Sequence, residues 1–97
     1  MKIYENLDRV LLEITLDNGG INRDRPVSQQ RDEARAFLEK HGEEELQLYE
    51  DWLTGFSRND LQIIAVGGQD EPETIKLRKG APDGFNDFLN KYFDEVC

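Results

Sequence analysis

The chain of 97 residues contains one cysteine, one histidine, three prolines and no long apolar run. A lone cysteine, Cys97, excludes an intramolecular disulfide, and with it the disulfide-stapled scaffolds of oxidising compartments. One histidine and one cysteine cannot supply the Cys/His cluster that zinc requires. No stretch approaches the roughly 18 apolar residues of a membrane span. The opening residues, MKIYENLDRVLLEITLD, mix charged and apolar side chains throughout, so they lack the apolar segment of a secretory signal. The expectation is a soluble protein of a reducing cytoplasm.

Motifs that would carry chemistry are equally scarce. The glycine pairs at 19–20 and 67–68 neither follow a strand nor end in Lys-Ser/Thr, so they are not phosphate loops. Asp17–Gly20 and Asp83–Asp87 offer too few oxygen ligands for a calcium loop. His41, just before Gly42, reads as a complement to a helix C-terminus rather than a catalytic base. Ser28 and Ser57 stand where N-caps belong, not beside a base that would activate them. No catalytic constellation, metal or cofactor is expected, and the chain reads as a non-enzyme.

What the chain does have is acid, unevenly spread. The net charge is −9, and residues 43–73 alone carry −8: nine acids against the single base Arg58. Such a concentration sets up a local field that selects partners. It argues against direct contact with nucleic acid or anionic lipid, both of which attract Lys/Arg clusters. With 37% hydrophobic residues and nine aromatics, the chain is nevertheless rich enough to fold. At this length one domain, 1–97, is expected, and it buries about two thirds of the surface its unfolded chain exposes.

The apolar periodicity reads as an all-α bundle of about five short helices. Ile3, Tyr4, Leu7, Val10, Leu11 and Ile14 share one face of a first helix at 2–17, which Asn18-Gly19-Gly20 ends. Ile21–Val27 is a linker, since Pro26 cannot donate a helical hydrogen bond. Ala34, Phe37, Leu38 and His41 mark a second helix at 29–41, capped by Ser28. Glu43–Glu45 open a third at 43–54, where carboxylates suit the positive end of the helix dipole. Its apolar face is Leu46, Tyr49, Trp52 and Leu53. Ser57 caps a fourth at 58–66, although LQIIAV also has strand-like composition. Residues 74–78 are open between an isolated strand, a short helix and an extended loop. After Pro82-Asp83-Gly84, the residues Phe85, Phe88, Leu89, Tyr92, Phe93 and Val96 form the clearest amphipathic stripe in the chain. It belongs to the core, or failing that to a partner groove.

On the third helix at 100° per residue, Glu43, Glu44, Glu50 and Asp51 are expected to share the face opposite the core, with Glu45 nearer the apolar side. Neighbours at i, i+3 and i+4 lie about 5–6 Å apart at Cβ. Phosphates along a DNA strand are spaced on a similar scale. Carboxylates in such a row can occupy a basic nucleic-acid-binding groove, and Asp70, Glu71 and Glu73 would extend the row if the fold placed them alongside. The plain alternative is a solvated face that confers solubility. A second cluster, Arg23, Arg25, Arg31 and Arg35, suits phosphate, an acidic protein, or the acidic face of a second copy. A homodimer is therefore a further expectation, held by opposed charge or by the apolar Phe85–Val96 stripe or Trp52.

The segment Tyr49–Gly67, YEDWLTGFSRNDLQIIAVG, resembles a pattern in small acidic proteins of phages and mobile elements. The positions that carry it are Trp52, Leu53, Phe56, Ser57, Asp60, Leu61 and Gly67. Proteins of that kind include anti-CRISPR inhibitors, some of which block a DNA-binding groove with carboxylates. The resemblance implies a stoichiometric inhibitor acting in a bacterial host's cytoplasm. Its partner would be a basic nucleic-acid-binding protein or complex of the CRISPR effector type. Glu43, Glu44, Glu50 and Asp51 would be the main contacts, and Asp70, Glu71 and Glu73 secondary ones.

Overall fold

The computed structural model describes residues 3–17 and 27–96. Six helices follow in order: α1 (Glu5–Asp17), α2 (Val27–Glu39), α3 (Glu43–Leu53), α4 (Arg58–Val66), α5 (Pro72–Arg78) and α6 (Phe85–Val96). No strand occurs among the described residues. The all-helical expectation holds, with six helices where about five were expected. None of them is long and apolar enough to cross a membrane.

α1 is the hub, packing against α2, α3, α4 and α6. The reason is local. Leu7, Val10, Leu11 and Ile14 recur at helical spacing and are all buried. The same stripe carries one hydroxyl, Thr15, into the core. Thr15 Oγ1 donates to the Leu11 carbonyl at 2.9 Å, back along its own helix. It also meets Tyr92 Oη of α6 at 2.6 Å. With the threonine hydrogen used on Leu11, the tyrosine is the donor, and both polar groups are satisfied in an apolar surrounding.

The other half of the core is aromatic. Phe37 of α2 meets Phe88 and Tyr92 of α6 at ring-centroid distances of 5.3 and 5.2 Å. Tyr49 of α3 meets Phe85 and Phe88 at 5.3 and 5.1 Å. Trp52 lies 5.0 Å from Phe85. Tilted and edge-on pairs of this kind are worth about 0.5–1.5 kcal/mol each beyond the area they bury. The α6 stripe thus belongs to the core. Its flank does not: Phe93 is 47% exposed.

Several boundaries move. α1 starts at Glu5 rather than residue 2, and Ile3, expected on its buried face, is 67% exposed ahead of it. α2 begins at Val27, so Ser28 is its second residue and not the residue before it. The glycine stop at 18–20, the linker with Pro26, Arg23 and Arg25, and Cys97 lie outside the described residues. α4 is a helix over the expected span. Ser57 caps it, its side chain accepting from the Asp60 amide at 3.2 Å.

Residues 74–78 resolve as part of α5. Pro72 opens the helix, Glu73 sits in its first turn and Lys76 and Arg78 in its last, so charge and dipole agree at both ends. Seven residues are too few for a stable isolated helix. Packing on α4 holds this one: Thr74 is buried against Gly67, and the Arg78 guanidinium donates through Nε, at 3.0 Å, and Nη2 to the Ile64 carbonyl near the C-terminus of α4. Burial depresses the Arg78 pKa. The cation caps an otherwise unpaired carbonyl at the negative end of a helix dipole.

Candidate functional site

α3 carries the largest share of the acid, and its inner and outer faces divide the carboxylates between two roles. Leu46, Tyr49 and Leu53 turn inward and are buried. Glu43, Glu44 and Asp51 are exposed. The side chains of Glu43 and Glu44 bond to no described residue, while Asp51 accepts from Gln47 Nε2 at 2.6 Å on the same helix. Between them stands Leu48, 54% exposed, four residues after Glu44 and three before Asp51. Residues at those spacings are neighbours on a helix surface. The outer face of α3 therefore sets Glu44 and Asp51 beside one exposed leucine, with Glu43 at the N-terminal end of the helix.

Glu50 does not belong to that face. Its carboxylate reaches across to α1 and accepts from the backbone amides of Asn6 and Leu7, each at 3.0 Å through Oε1, and from Asn6 Nδ2. These are amides of the first turn of α1, which have no partner within the helix. Glu50 thus caps a helix 43 positions away in sequence and places its charge at that helix's positive end. The expectation that it faces a partner is corrected for this reason. The signal was legible: Glu50 lies about 40° from Leu46 on a helical wheel, beside the apolar face and not opposite it. Glu45, expected near the apolar side, accepts from Tyr49 Oη at 2.8 Å. Burial and that hydrogen bond push the Tyr49 phenol far above its ordinary range.

Asp70, Glu71 and Glu73 are exposed and form no side-chain bond to a described residue. They border α5, which packs on α4, whereas α3 packs on α1. The two acidic groups therefore rest on different elements. The structure places Glu43, Glu44 and Asp51 on one helix and Asp70, Glu71 and Glu73 at the start of another.

A half-open cleft of ≈ 380 Å³ adjoins the α3 acids. Tyr4, Leu38 and Leu46 are its buried apolar lining, and Asp8, Glu39, Glu43, His41 and one cation, Arg35, line it as well. His41 lies just past the end of α2, where its Nδ1 donates to the Phe37 carbonyl at 2.9 Å and its ring packs on Phe37 and Phe88. The role as a helix C-terminal complement is what the structure shows for it. Among the described residues, no three His, Cys, Asp or Glu side chains converge as a metal site.

Asp8 belongs to no motif or spacing that would single it out in advance. It lies on α1 and lines both this cleft and a neighbouring one. Burial raises its pKa above the ordinary 3.8; Arg35 and Arg31 pull it down, and Glu50 pushes it up. A carboxyl whose folded pKa is raised binds its proton more tightly in the native state, so its ionised form weakens the fold. Asp8→Asn is therefore expected to raise the thermal midpoint at pH 7. The gain should shrink as the pH falls toward 3.8, where the wild-type carboxyl takes its own proton. Melting curves of both proteins at neutral and acid pH check this. A constant difference across the range would show that Asp8 carries no such burden.

No protein-family model, curated protein or solved structure matches the chain.

Proposed function

We propose that the protein is a non-catalytic binding module whose outer α3 edge engages a basic surface on a protein partner. One observation carries the reading: the exposed acids Glu44 and Asp51 flank the exposed Leu48 on the outer face of α3, and Glu43 is exposed at the N-terminus of the same helix. Among the described residues, no ion pair holds Glu43 or Glu44. Solubility alone needs scattered charge and gains nothing from an exposed leucine between two acids. Carboxylates beside an apolar anchor suit a protein surface with lysines or arginines about an apolar dimple. The apolar lining of the cleft beside Glu43 extends that surface.

In its finer form the partner is a nucleic-acid-handling protein or complex, and the α3 acids stand where its phosphates would lie. The anti-CRISPR resemblance of residues 49–67 supports an inhibitor of that kind. The apolar-dimer alternative loses most of its surface, since Phe85, Phe88, Leu89 and Tyr92 are buried in the core.

The test compares wild type with the triple variant Glu43→Lys, Glu44→Lys, Asp51→Lys in capture from a lysate of the expressing cell at low and high salt. Glu50 stays unchanged, because it holds α1. All three substituted side chains are exposed, so the fold should survive, although Glu43 and Glu44 lie in the first turn of α3 and each reversal there costs about 0.3–1 kcal/mol through the helix dipole. The expected result is a basic nucleic-acid-binding protein retained by wild type alone and released by salt, since contacts between exposed charges are screened. Equal retention by both proteins would end the proposal.

A further inference from the structure

The second cleft is the larger, at ≈ 490 Å³, and it lies between α1, α2 and α4 rather than on the acidic edge of α3. Four of the chain's seven arginines line it: Arg9, Arg31, Arg35 and Arg58. They come from three different helices of a protein whose net charge is −9. Arg9 is paired with Glu13 at 3.5 Å on its own helix. Arg31, Arg35 and Arg58 are exposed and make no ion pair with a described residue. Among the described residues, two carboxylates, Glu5 and Asp8, share the lining. Asp8 offsets part of the charge of Arg35 and Arg31, and the four guanidinium groups still outnumber the two carboxylates among the described lining residues, which favours a bound anion. The fork of N–H donors on each guanidinium matches phosphate oxygens two at a time.

The remainder of the lining narrows the ligand. Leu12, Phe56 and Leu61 supply an apolar wall with one aromatic ring, and Asn6 and Gln30 add amides. A volume of this order suits a small molecule better than a helix or strand of a partner. We propose that this cleft binds a small organic phosphate, a phosphomonoester carried on a flat apolar group. The phosphoryl group lies among Arg31, Arg35 and Arg58, and the apolar carrier rests against Phe56 and Leu61. Asp8 and Arg35 line both this cleft and the one beside Glu43, but Glu43, Glu44 and Asp51 do not line this one, so reversing those acids tests the α3 edge without altering the arginines.

Titration of the full chain with phenyl phosphate, followed by amide and arginine side-chain NMR shifts, tests it. Phenol, inorganic phosphate and benzoate serve as comparison probes. Saturable shifts are expected at Arg31, Arg35, Arg58 and Phe56 with phenyl phosphate. Inorganic phosphate and benzoate should bind more weakly, and phenol should not bind. The variant Arg31→Gln, Arg58→Gln, at two exposed positions, should weaken phenyl phosphate at least ~10-fold, the loss expected for removing charge-assisted bonds. Lys91→Gln, on α6, should leave it unchanged. Absence of saturation at millimolar probe, or equal binding to the double variant with its native spectrum intact, would overturn the proposal. So would low-salt dimerisation that the double variant abolishes in a protein deaf to phenyl phosphate, which would assign the arginines to a second copy's acidic face.

Discussion

Glu50→Lys is expected to destabilise the protein by about 3–5 kcal/mol, whereas glutamate-to-lysine changes at Glu43 and Glu44, exposed in the first turn of α3, should cost only about 0.3–1 kcal/mol each through the helix dipole. Three effects add. The substitution removes charge-assisted hydrogen bonds to the amides of Asn6 and Leu7, worth about 1.5–3 kcal/mol. It leaves first-turn donors of α1 without their partner in a half-buried seam. It also sets a cation at the positive end of that helix, reversing an interaction worth about 0.3–1 kcal/mol at an exposed site and more where partly buried. α1 is the helix on which α2, α3, α4 and α6 all pack, so loosening its first turn loosens the hub. Against a typical stability of about 5–15 kcal/mol, the loss is a large fraction of the whole. Urea unfolding followed by circular dichroism checks the expectation. Glu50→Gln, which keeps an acceptor oxygen but loses the charge, should fall between wild type and lysine. If Glu50→Lys and Glu44→Lys unfolded at the same urea concentration, the capping role would be wrong. The contrast also governs any binding experiment. A variant that reverses Glu50 together with the outer acids would confuse unfolding with loss of a contact.

Gly67→Ala is the second large effect, at about 3 kcal/mol or more. A glycine at a helix end usually supplies a positive φ, but Gly67 has φ −64° and ψ 148°, which any residue adopts. The constraint is space. A Cβ built on Gly67 falls 2.2 Å from Thr74 Oγ1 and 2.5 Å from the Ile63 carbonyl oxygen. The threonine is fully buried, and the carbonyl belongs to the α4 backbone, where it accepts the Gly67 amide. Neither neighbour can move away cheaply, so α5 must shift off α4. Overpacking of a tight contact costs about 1–3 kcal/mol and more where backbone is involved. Gly55 and Gly42 give the comparison: a Cβ on either meets nothing within 4 Å, so alanine there should be tolerated. Thermal denaturation of the three alanine variants would show it. A Gly67→Ala protein as stable as Gly55→Ala would mean that α5 is not seated as described. Thr74→Ser would leave this clash, whereas Thr74→Ala in the Gly67→Ala background should recover part of the loss, because the hydroxyl is the nearest obstacle.

Elements set by their own residues were open to reading in advance. Ser57 caps α4 because its hydroxyl reaches an amide three residues on. α1 and α6 bury Leu7, Val10, Leu11, Phe85, Phe88 and Tyr92 because side chains at helical spacing share a face whatever they pack against. The all-helical class, the exposure of Glu43, Glu44 and Asp51, and the service of His41 to the end of α2 follow from such short-range rules. What the tertiary structure alone decided depends on groups far apart in the chain. α5 is too short to be helical by its own propensity and is held by Gly67, Thr74 and Arg78 against α4. Phe93 and Ile3 carry core-like side chains on positions that no other helix covers. Glu50 turns inward because the first-turn amides of α1 lie within its reach. Arg9, Arg31, Arg35 and Arg58 share a cleft because three helices cross there. The division has one physical cause: hydrogen bonds and periodicity within a turn are fixed by sequence spacing, whereas the destination of a charged side chain is fixed by which unpaired group the packing brings to it.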